Sequence, residues 1–311
     1  MRLLPYTNKD IDLTADEIRK LISEKLENLK ELELVAKGSE YIKELSNLAF
    51  LQLEIGDYED AEKNFQICLK HFKKQLDRLG QAAVYGVLGT LYFKENKFDD
   101  SILNFSSAYE IYKELNQFQE QITCLKGIGN SLIKLNHLDD ACDKFLDCSA
   151  ICSDNNDMYN LLDCIANLIF IHETQEKWDI VFELYKKSLE AFEKIKDVKG
   201  IIVSYFNMGI LKKKSNKLDE ALNYFKQGTN RAIDSNYTEL ILKGLSYVAE
   251  NLFYMGKLKE AKNEYIKALN LAEKINAKNS IIQLRVLLKS LGLSENDIQN
   301  ELKLYNESKK N

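Results

Sequence analysis

Apolar residues recur along this chain at spacings of three and four positions, a pattern that predicts helices over most of its length. The first predicted helix follows Thr14 and Glu17, which form a capping-box pattern, and carries apolar residues over 18–32. We expect this helix to end near Gly38 and to cover the apolar face of the first helix pair behind it. Residues 1–13 show no such periodicity, and we predict an irregular leader there.

A short polar turn then returns at a fixed interval and divides the helical pattern into pairs. Its first residue is Gly56 in the first copy, and the six copies begin at positions 56, 96, 136, 176, 216 and 256. The step between copies is constant, and a constant period of this size is the signature of a stack of repeats. The chain is therefore predicted to form antiparallel helix pairs from Ser39 onward.

Small and aromatic residues occupy matching positions in five of the six predicted pairs, and the fourth pair is the least regular, with Val181 in place of the small residue. In the second pair, Tyr85, Leu88, Gly89 and Tyr92 form one stripe of the first helix. The second helices carry a small residue, an aromatic ring and another small residue, which would let two helices approach closely around the ring. These triplets are Ala61, Phe65 and Cys68; Ser101, Phe105 and Ala108; Ala141, Phe145 and Cys148; Ala221, Phe225 and Gly228; and Ala261, Tyr265 and Ala268.

The Leu88-Gly89 pair, Tyr92 seven positions after Tyr85, and the small-aromatic-small triplet resemble the tetratricopeptide repeat (TPR) family. The resemblance covers about residues 39–275 and implies an all-α fold, an α-solenoid of antiparallel helix pairs that winds as a right-handed TPR superhelix. The period of 40 exceeds the common one of about 34, and the proline that usually closes each repeat is missing. Such long-armed repeats look like those of the Pins/LGN spindle adaptors, kinesin light chains and bacterial Rap regulators.

Three regions follow from this interpretation. Residues 1–38 are predicted to hold the leader and an N-terminal capping helix, and residues 39–275 six TPR repeats. Residues 276–311 are predicted to be a degenerate seventh repeat that caps the C-terminal end, with Ser294 and Asp297 at the start of the last helix. The extra residues of the longer period are expected between a second helix and the next first helix, as in 113–120 and 193–200.

Composition narrows the function. The chain has 311 residues and a formal net charge of −5, which argues against a nucleic-acid or membrane-surface partner. No apolar stretch is long enough for a membrane span or for a secretory signal, so we predict a cytoplasmic protein. No catalytic motif is present, and the three histidines of the chain fall in separate repeats. We therefore expect no enzyme activity, no cofactor and no small-molecule ligand.

The six cysteines are expected to be reduced thiols that pack as small apolar side chains. Cys148, Cys152 and Cys164 are close enough in the repeat pattern to approach a metal ion in principle. No CxxC pair and no ligating histidine accompanies them, so the sequence predicts no metal site.

The resemblance implies that a peptide would bind the concave face, which the first helix of each repeat lines. Asparagine side chains recur there, and an amide suits recognition of a peptide backbone. Seven lysines also fall on this face, which favours an acidic partner segment. The residues we predict to bind peptide are Lys43, Asn47, Lys126, Asn130, Asn167, Asn207, Lys214 and Lys243.

Lys126, Asn130 and Asn167 also match three parts of the carboxylate clamp by which chaperone-binding TPRs hold a C-terminal carboxylate. The remaining basic pair of that clamp would fall at Val203 and Asn207, and neither is cationic. General peptide binding is therefore favoured over a terminal-carboxylate clamp.

Two functions remain open at this point. The first is a protein–protein interaction scaffold or adaptor that binds a peptide segment in the concave groove. The alternative is a peptide-responsive regulator resembling the Rap proteins, in which a ligand changes the pitch of the superhelix.

Overall fold

The computed structural model describes residues 14–35 and 38–308, and the leader predicted over 1–13 lies outside them. The described part is all-α, with no strand. Its helices are α1 Ala15–Val35, α2 Ser39–Ile55, α3 Tyr58–Lys74, α4 Arg78–Lys94, α5 Phe98–Glu114, α6 Phe118–Lys134, α7 Leu138–Asp154, α8 Met158–Thr174, α9 Trp178–Lys194, α10 Val198–Lys214, α11 Leu218–Asp234, α12 Thr238–Tyr254, α13 Leu258–Lys274, α14 Lys278–Ser290 and α15 Glu295–Ser308.

One turn geometry joins the helices from α2 to α14. After α4, the Asn96 N–H donates to the Phe93 carbonyl at 3.0 Å and the Lys97 N–H donates to the Tyr92 carbonyl at 2.8 Å. Asn96 has a φ of +62°, in the left-handed region. This is the Schellman motif, in which a left-handed residue ends a helix while satisfying its last carbonyls.

The left-handed turn recurs twice in each sequence period, once after each first helix and once after each second helix. The helices from α2 to α13 accordingly share one length, 17 residues. The segments 113–120 and 193–200, where we expected the extra residues, each contain one such turn. The left-handed positions are Gly56, Leu76, Asn96, Asn116, Asn136, Asn156, Glu176, Lys196, Asn216, Asn236, Gly256 and Asn276.

The capping box predicted at Thr14 and Glu17 is confirmed, and so is the helix start predicted at Ser294 and Asp297. The Glu17 carboxylate accepts from the Thr14 N–H at 2.7 Å, and the Asp297 carboxylate accepts from the Ser294 N–H at 2.8 Å. Helix α1 packs on α2, and at the other end α15 packs on α13 and α14. Each end helix thus covers an apolar face that a further repeat would otherwise cover.

The small-aromatic-small pattern packs the helix pairs as predicted. Ala61, Ala141 and Ala221 are fully buried, as are Phe65, Phe145 and Phe225. The Phe105 ring lies between two glycines: a Cβ atom at Gly89 would come within 2.7 Å of the ring, and one at Gly127 within 2.5 Å. The missing side chains therefore make the space that the ring fills.

The chain divides into two compact units, 1–168 and 169–311, and the boundary falls inside α8. Each unit has its own buried apolar core, built around Phe65 and Leu88 in the first and around Phe225 and Tyr265 in the second. Among the described residues, no helix is both long enough and apolar enough to cross a membrane.

Candidate functional site

First helices of consecutive repeats touch one another within each unit, so their polar side chains form continuous surfaces. Helix α4 contacts α6 in the first unit, and α10 contacts α12 in the second. We call the two surfaces that carry most of the predicted residues the α6–α8 surface and the α10–α14 surface. The first comprises Lys126, Asn130, Asn160, Asp163 and Asn167, and the second comprises Asn207, Lys213, Lys214, Lys243, Tyr247 and Glu250.

A hydrogen-bond network ties α6 to α8 at the first surface. The Asp157 carboxylate accepts from the Asn160 side chain at 2.8 Å and from the Gln119 side chain at 2.9 Å. The side-chain amide oxygen of Asn160 accepts in turn from the Lys126 Nζ at 3.2 Å. These hydrogen bonds, led by those from Asn160, lower the pKa of Asp157 because they stabilise its charged form.

Lys126 is half-buried and forms an ion pair with Asp163. Burial lowers the pKa of Lys126, but the hydrogen bond and the charge of Asp163 outweigh it, so the net shift is upward. The lysine that would hold a partner's terminal carboxylate in a clamp therefore already contacts a carboxylate of its own chain. Asn130 and Asn167 are half-exposed, one helical turn beyond Lys126 and Asp163 on their own helices.

Ion pairs also neutralise part of the predicted lysine surface elsewhere. Lys94 Nζ lies 3.4 Å from the Glu54 carboxylate, and Lys213 Nζ lies 2.8 Å from the Glu250 carboxylate. Each pair joins the first helices of neighbouring repeats. The expectation of an acidic partner therefore rests on the predicted lysines other than Lys94, Lys126 and Lys213.

A cleft of about 720 Å³ opens on the α10–α14 surface, between α12 and α14. Lys243, one of the predicted residues, lines it together with Tyr247, whose ring lies 5.7 Å from the lysine Nζ. The remaining lining includes hydroxyl, amide, carboxylate and apolar groups, which are Thr238, Glu239, Leu242, Ser246, Ile275, Ala277, Ser280 and Gln283. The volume is in the usual range of ligand pockets, and the mixed lining suits a segment of polypeptide.

The other predicted residues differ in how open they are. Lys43 and Lys214 are exposed, and the Lys214 Nζ lies 4.8 Å from the centre of the Trp178 ring. Asn207 is half-exposed. Asn47, however, is only 7% exposed and donates to Glu44, which pairs with Lys25 of α1. Asn47 is therefore the least accessible of the predicted residues, at the end of the first-helix surface that contacts α1.

Sequence reasoning missed Gln119, Asp157 and Asn160. A signal was present, because the Asp157 carboxylate accepts from the Asn160 N–H at 3.1 Å as an N-cap, and aspartate is a preferred N-cap residue. Equivalent caps begin α4 at Asp77 and α10 at Asp197. The sequence period drew attention to the other turn of each repeat, so these caps passed unnoticed.

Equal helix pairs joined by left-handed turns, with polar first-helix surfaces, define a helical-repeat protein of the protein–protein interaction class. Residues 44–114 and 161–234 match the family model of the tetratricopeptide repeat. This match supports the assignment of the two segments to the tetratricopeptide repeat family.

Comparisons with individual proteins agree with this fold. Regulatory protein RapD of Bacillus subtilis is 26% identical over 128 residues, which cover 41% of this chain and 36% of RapD. The chain thus matches about a third of the length of this relative. The aspartyl phosphate phosphatase F of Bacillus subtilis superposes with a TM-score of 0.52 at 16% identity, covering 94% of this chain and 86% of that one.

A signal-transduction ATPase with a tetratricopeptide repeat sensor, PH0952 of Pyrococcus horikoshii, superposes with a TM-score of 0.55 at 14% identity. That match covers 95% of this chain and 46% of the ATPase. At these identities the two structures show a shared fold and nothing more.

Proposed function

We propose that this protein is a cytoplasmic, non-enzymatic scaffold or adaptor that holds a peptide segment of a partner against its first-helix surfaces. The observation that carries the proposal is the α12–α14 cleft, because a residue chosen from the repeat pattern, Lys243, lines it. A lysine beside an aromatic ring favours a segment with a carboxylate side chain and an apolar neighbour. Asn207 on the same surface, and separately Asn130 and Asn167 on the α6–α8 surface, offer amide groups that suit pairing with a peptide backbone.

Peptide selection with the purified full chain tests this proposal. A displayed random-peptide library would be panned against the protein, and selected peptides measured by calorimetry. We expect them to carry Asp or Glu, and we expect Lys243→Ala to weaken binding about tenfold or more. Lys259→Ala removes an exposed lysine from the second helix α13 and serves as the matched control, since it should leave binding unchanged.

The α6–α8 surface is tested in the same assay with the double variant Asn130→Ala and Asn167→Ala. Its control is Asn104→Ala, which removes an amide from the second helix α5. Circular dichroism and melting should stay near those of the unmodified protein, because these amides are not part of the core. Equal affinity of both surface variants and the unmodified protein would show that the first-helix surfaces do not bind the peptide.

The sequence match to regulatory protein RapD favours a second candidate function. In this alternative the bound peptide changes the pitch of the repeat stack and thereby controls a second partner. Small-angle X-ray scattering separates the two candidates: a smaller radius of gyration on adding a selected peptide supports the regulator, and an unchanged radius supports the scaffold.

A further inference from the structure

Three cysteine side chains meet in the buried interior between α7 and α8. Cys148 and Cys152 lie one turn apart on α7, and Cys164 reaches them from α8. The three Sγ atoms all lie within 4.8 Å of one another. The Cys164 thiol donates to the Cys148 Sγ at 2.8 Å, and all three side chains are 0% exposed.

The other repeats show that packing does not require thiols at these positions. The position of Cys148 holds Cys68, Ala108, Ser188, Gly228 or Ala268 elsewhere, and that of Cys164 holds Val84, Cys124, Ser204 or Gly244. The position of Cys152 holds Phe72, Tyr112, Phe192, Ala232 or Ala272. Only the repeat pair at α7 and α8 places sulfur at all three, and it replaces the ring found in three other repeats by a much smaller side chain.

The spacing of the sulfurs suits a shared metal ion. A thiolate binds Zn²⁺ at about 2.3 Å, and an ion of that size at the centre of three sulfurs would hold them about 4 Å apart. The Sγ atoms here lie within 4.8 Å of one another, with those of Cys148 and Cys164 2.8 Å apart, so small side-chain rotations would bring all three to that spacing. The ligand set is all sulfur, since no histidine or carboxylate of the described residues joins the cluster. Such a set selects soft, thiophilic ions over Mg²⁺ or Ca²⁺.

The bound ion itself would supply the positive charge that the sulfurs need. A thiol loses its proton when it binds a metal, and burial of an uncompensated thiolate is costly. Deprotonation and metal binding are therefore expected to occur together.

We propose that Cys148, Cys152 and Cys164 bind one thiophilic metal ion through their three sulfurs. Cu(I) suits the site better than Zn(II), because a structural zinc site takes four protein ligands and this cluster offers three. Binding exchanges the thiol protons for the ion, so protons are released as it enters. Entry is slow, because the sulfurs are closed off until α7 and α8 separate locally.

Metal titration of the purified 311-residue chain tests the proposal. The protein would be reduced with a phosphine, freed of metal, and incubated under argon with Cu(I) or with Zn(II) in separate samples. We expect one equivalent of Cu(I) to resist dialysis, X-ray absorption to show three sulfur neighbours, and the melting temperature to rise, since an ion that binds only the folded state stabilises it. Each of Cys148→Ala, Cys152→Ala and Cys164→Ala should lose this equivalent and the rise in melting temperature.

Two variants serve as matched controls. Cys68→Ala occupies the position of Cys148 in the first repeat, and Cys124→Ala occupies the position of Cys164 one repeat earlier. Both remove a buried thiol outside the cluster and should keep the full equivalent of Cu(I). Retention of Zn(II) in preference to Cu(I), with the same three cysteines required, would keep the site and overturn its assignment to Cu(I).

Failure to retain an ion in both the Cu(I) and the Zn(II) sample would refute the metal site, as would equal retention by the three cluster variants. Oxidation provides a further check on the reduced starting material. A Cys148–Cys164 disulfide that forms in air, in a protein that retains no metal once reduced, would assign the cluster to redox chemistry instead.

Discussion

At the scale of single residues, the left-handed turn positions show where the sequence conflicts with the backbone. Seven of them are asparagine and two are glycine, the residues that tolerate positive φ best. Leu76, Glu176 and Lys196 adopt the same conformation with φ between 56° and 59°. These side chains lack the short amide by which asparagine can hydrogen-bond to the nearby backbone in this conformation. The left-handed conformation therefore costs stability at these three positions.

Leu76→Gly is therefore expected to stabilise the protein. Leu76 is 82% exposed, so its removal loses little burial. A left-handed conformation costs an ordinary residue about 1–2 kcal/mol, of which the greater flexibility of unfolded glycine takes back about 0.5–1 kcal/mol. Urea unfolding should show a gain of about 0.5–1 kcal/mol, the difference between these two effects.

Gln75→Gly is the control for this prediction, because Gln75 is adjacent but has a right-handed φ of −84°. Glycine there should lower the free energy of unfolding by up to about 1 kcal/mol. If the two variants change stability in the same direction, strain at the left-handed position does not govern this turn.

These turns also show how far sequence reasoning reached. The six turns that begin at Gly56 and its equivalents were found from their shared polar pattern, and the helices on both sides followed from it. Leu76 and Lys196 gave no such signal, because neither residue type marks a left-handed turn. The other four second turns carry asparagine, at 116, 156, 236 and 276, a signal that the search for the shared polar pattern did not use.

At the candidate site, periodicity identified the face but could not identify the neighbours. Asn47 was assigned correctly to the first helix, yet its burial depends on the contact of α1 with α2, which no repeat pattern encodes. Likewise, the Lys126–Asp163 ion pair joins residues on two different helices, whose pairing depends on side-chain conformation. The meeting of the three cysteine sulfurs was equally hard to predict from the repeat pattern, because it depends on the register of α7 against α8.

At the scale of helices, two glycines of α4 lie in different surroundings, one closely packed and the other open. A Cβ atom at Gly89 would meet the Phe105 ring at 2.7 Å, whereas one at Gly86 would have nothing within 4 Å. Both glycines lie in the same helix, less than one turn apart, so they share helix propensity and differ only in what faces them.

Gly89→Ala is expected to destabilise the protein by about 1–3 kcal/mol, the usual cost of overpacking a filled core. Gly86→Ala should instead stabilise it by about 0.5–1 kcal/mol, since alanine favours a helix interior. Thermal or urea unfolding of the two variants side by side measures the difference. Similar effects of both would mean that Phe105 moves aside and that the α4–α5 contact is loosely packed.

At the scale of the whole molecule, the main helix–helix contacts among the described residues join helices that are near one another in the chain. Stability in such proteins is close to a sum of repeat terms and nearest-neighbour terms. A defect at one end should therefore remain local. The C-terminal cap offers a clean case, because Leu302 of α15 is buried in the core of the second unit.

Leu302→Ala is expected to cost about 2–5 kcal/mol, the range for leucine-to-alanine changes in a core. Hydrogen exchange followed by mass spectrometry should show faster exchange in α13, α14 and α15. Exchange in α2 to α5 should stay as it was. Lys303→Ala, next to it in the sequence and exposed, is the control. Uniformly faster exchange along the chain would contradict a quasi-one-dimensional fold.

The uniform turn has a consequence for how such a chain can lengthen. The helices from α2 to α13 all end in the same left-handed turn. A duplicated segment of one full period therefore joins its neighbours through the same turn at both ends, whichever position in the period it starts from. An inserted copy keeps the alternation of first and second helices, whereas a copy of half that length would exchange their roles downstream. Gene duplication in units of one whole helix pair can therefore extend this architecture without redesign of any joint.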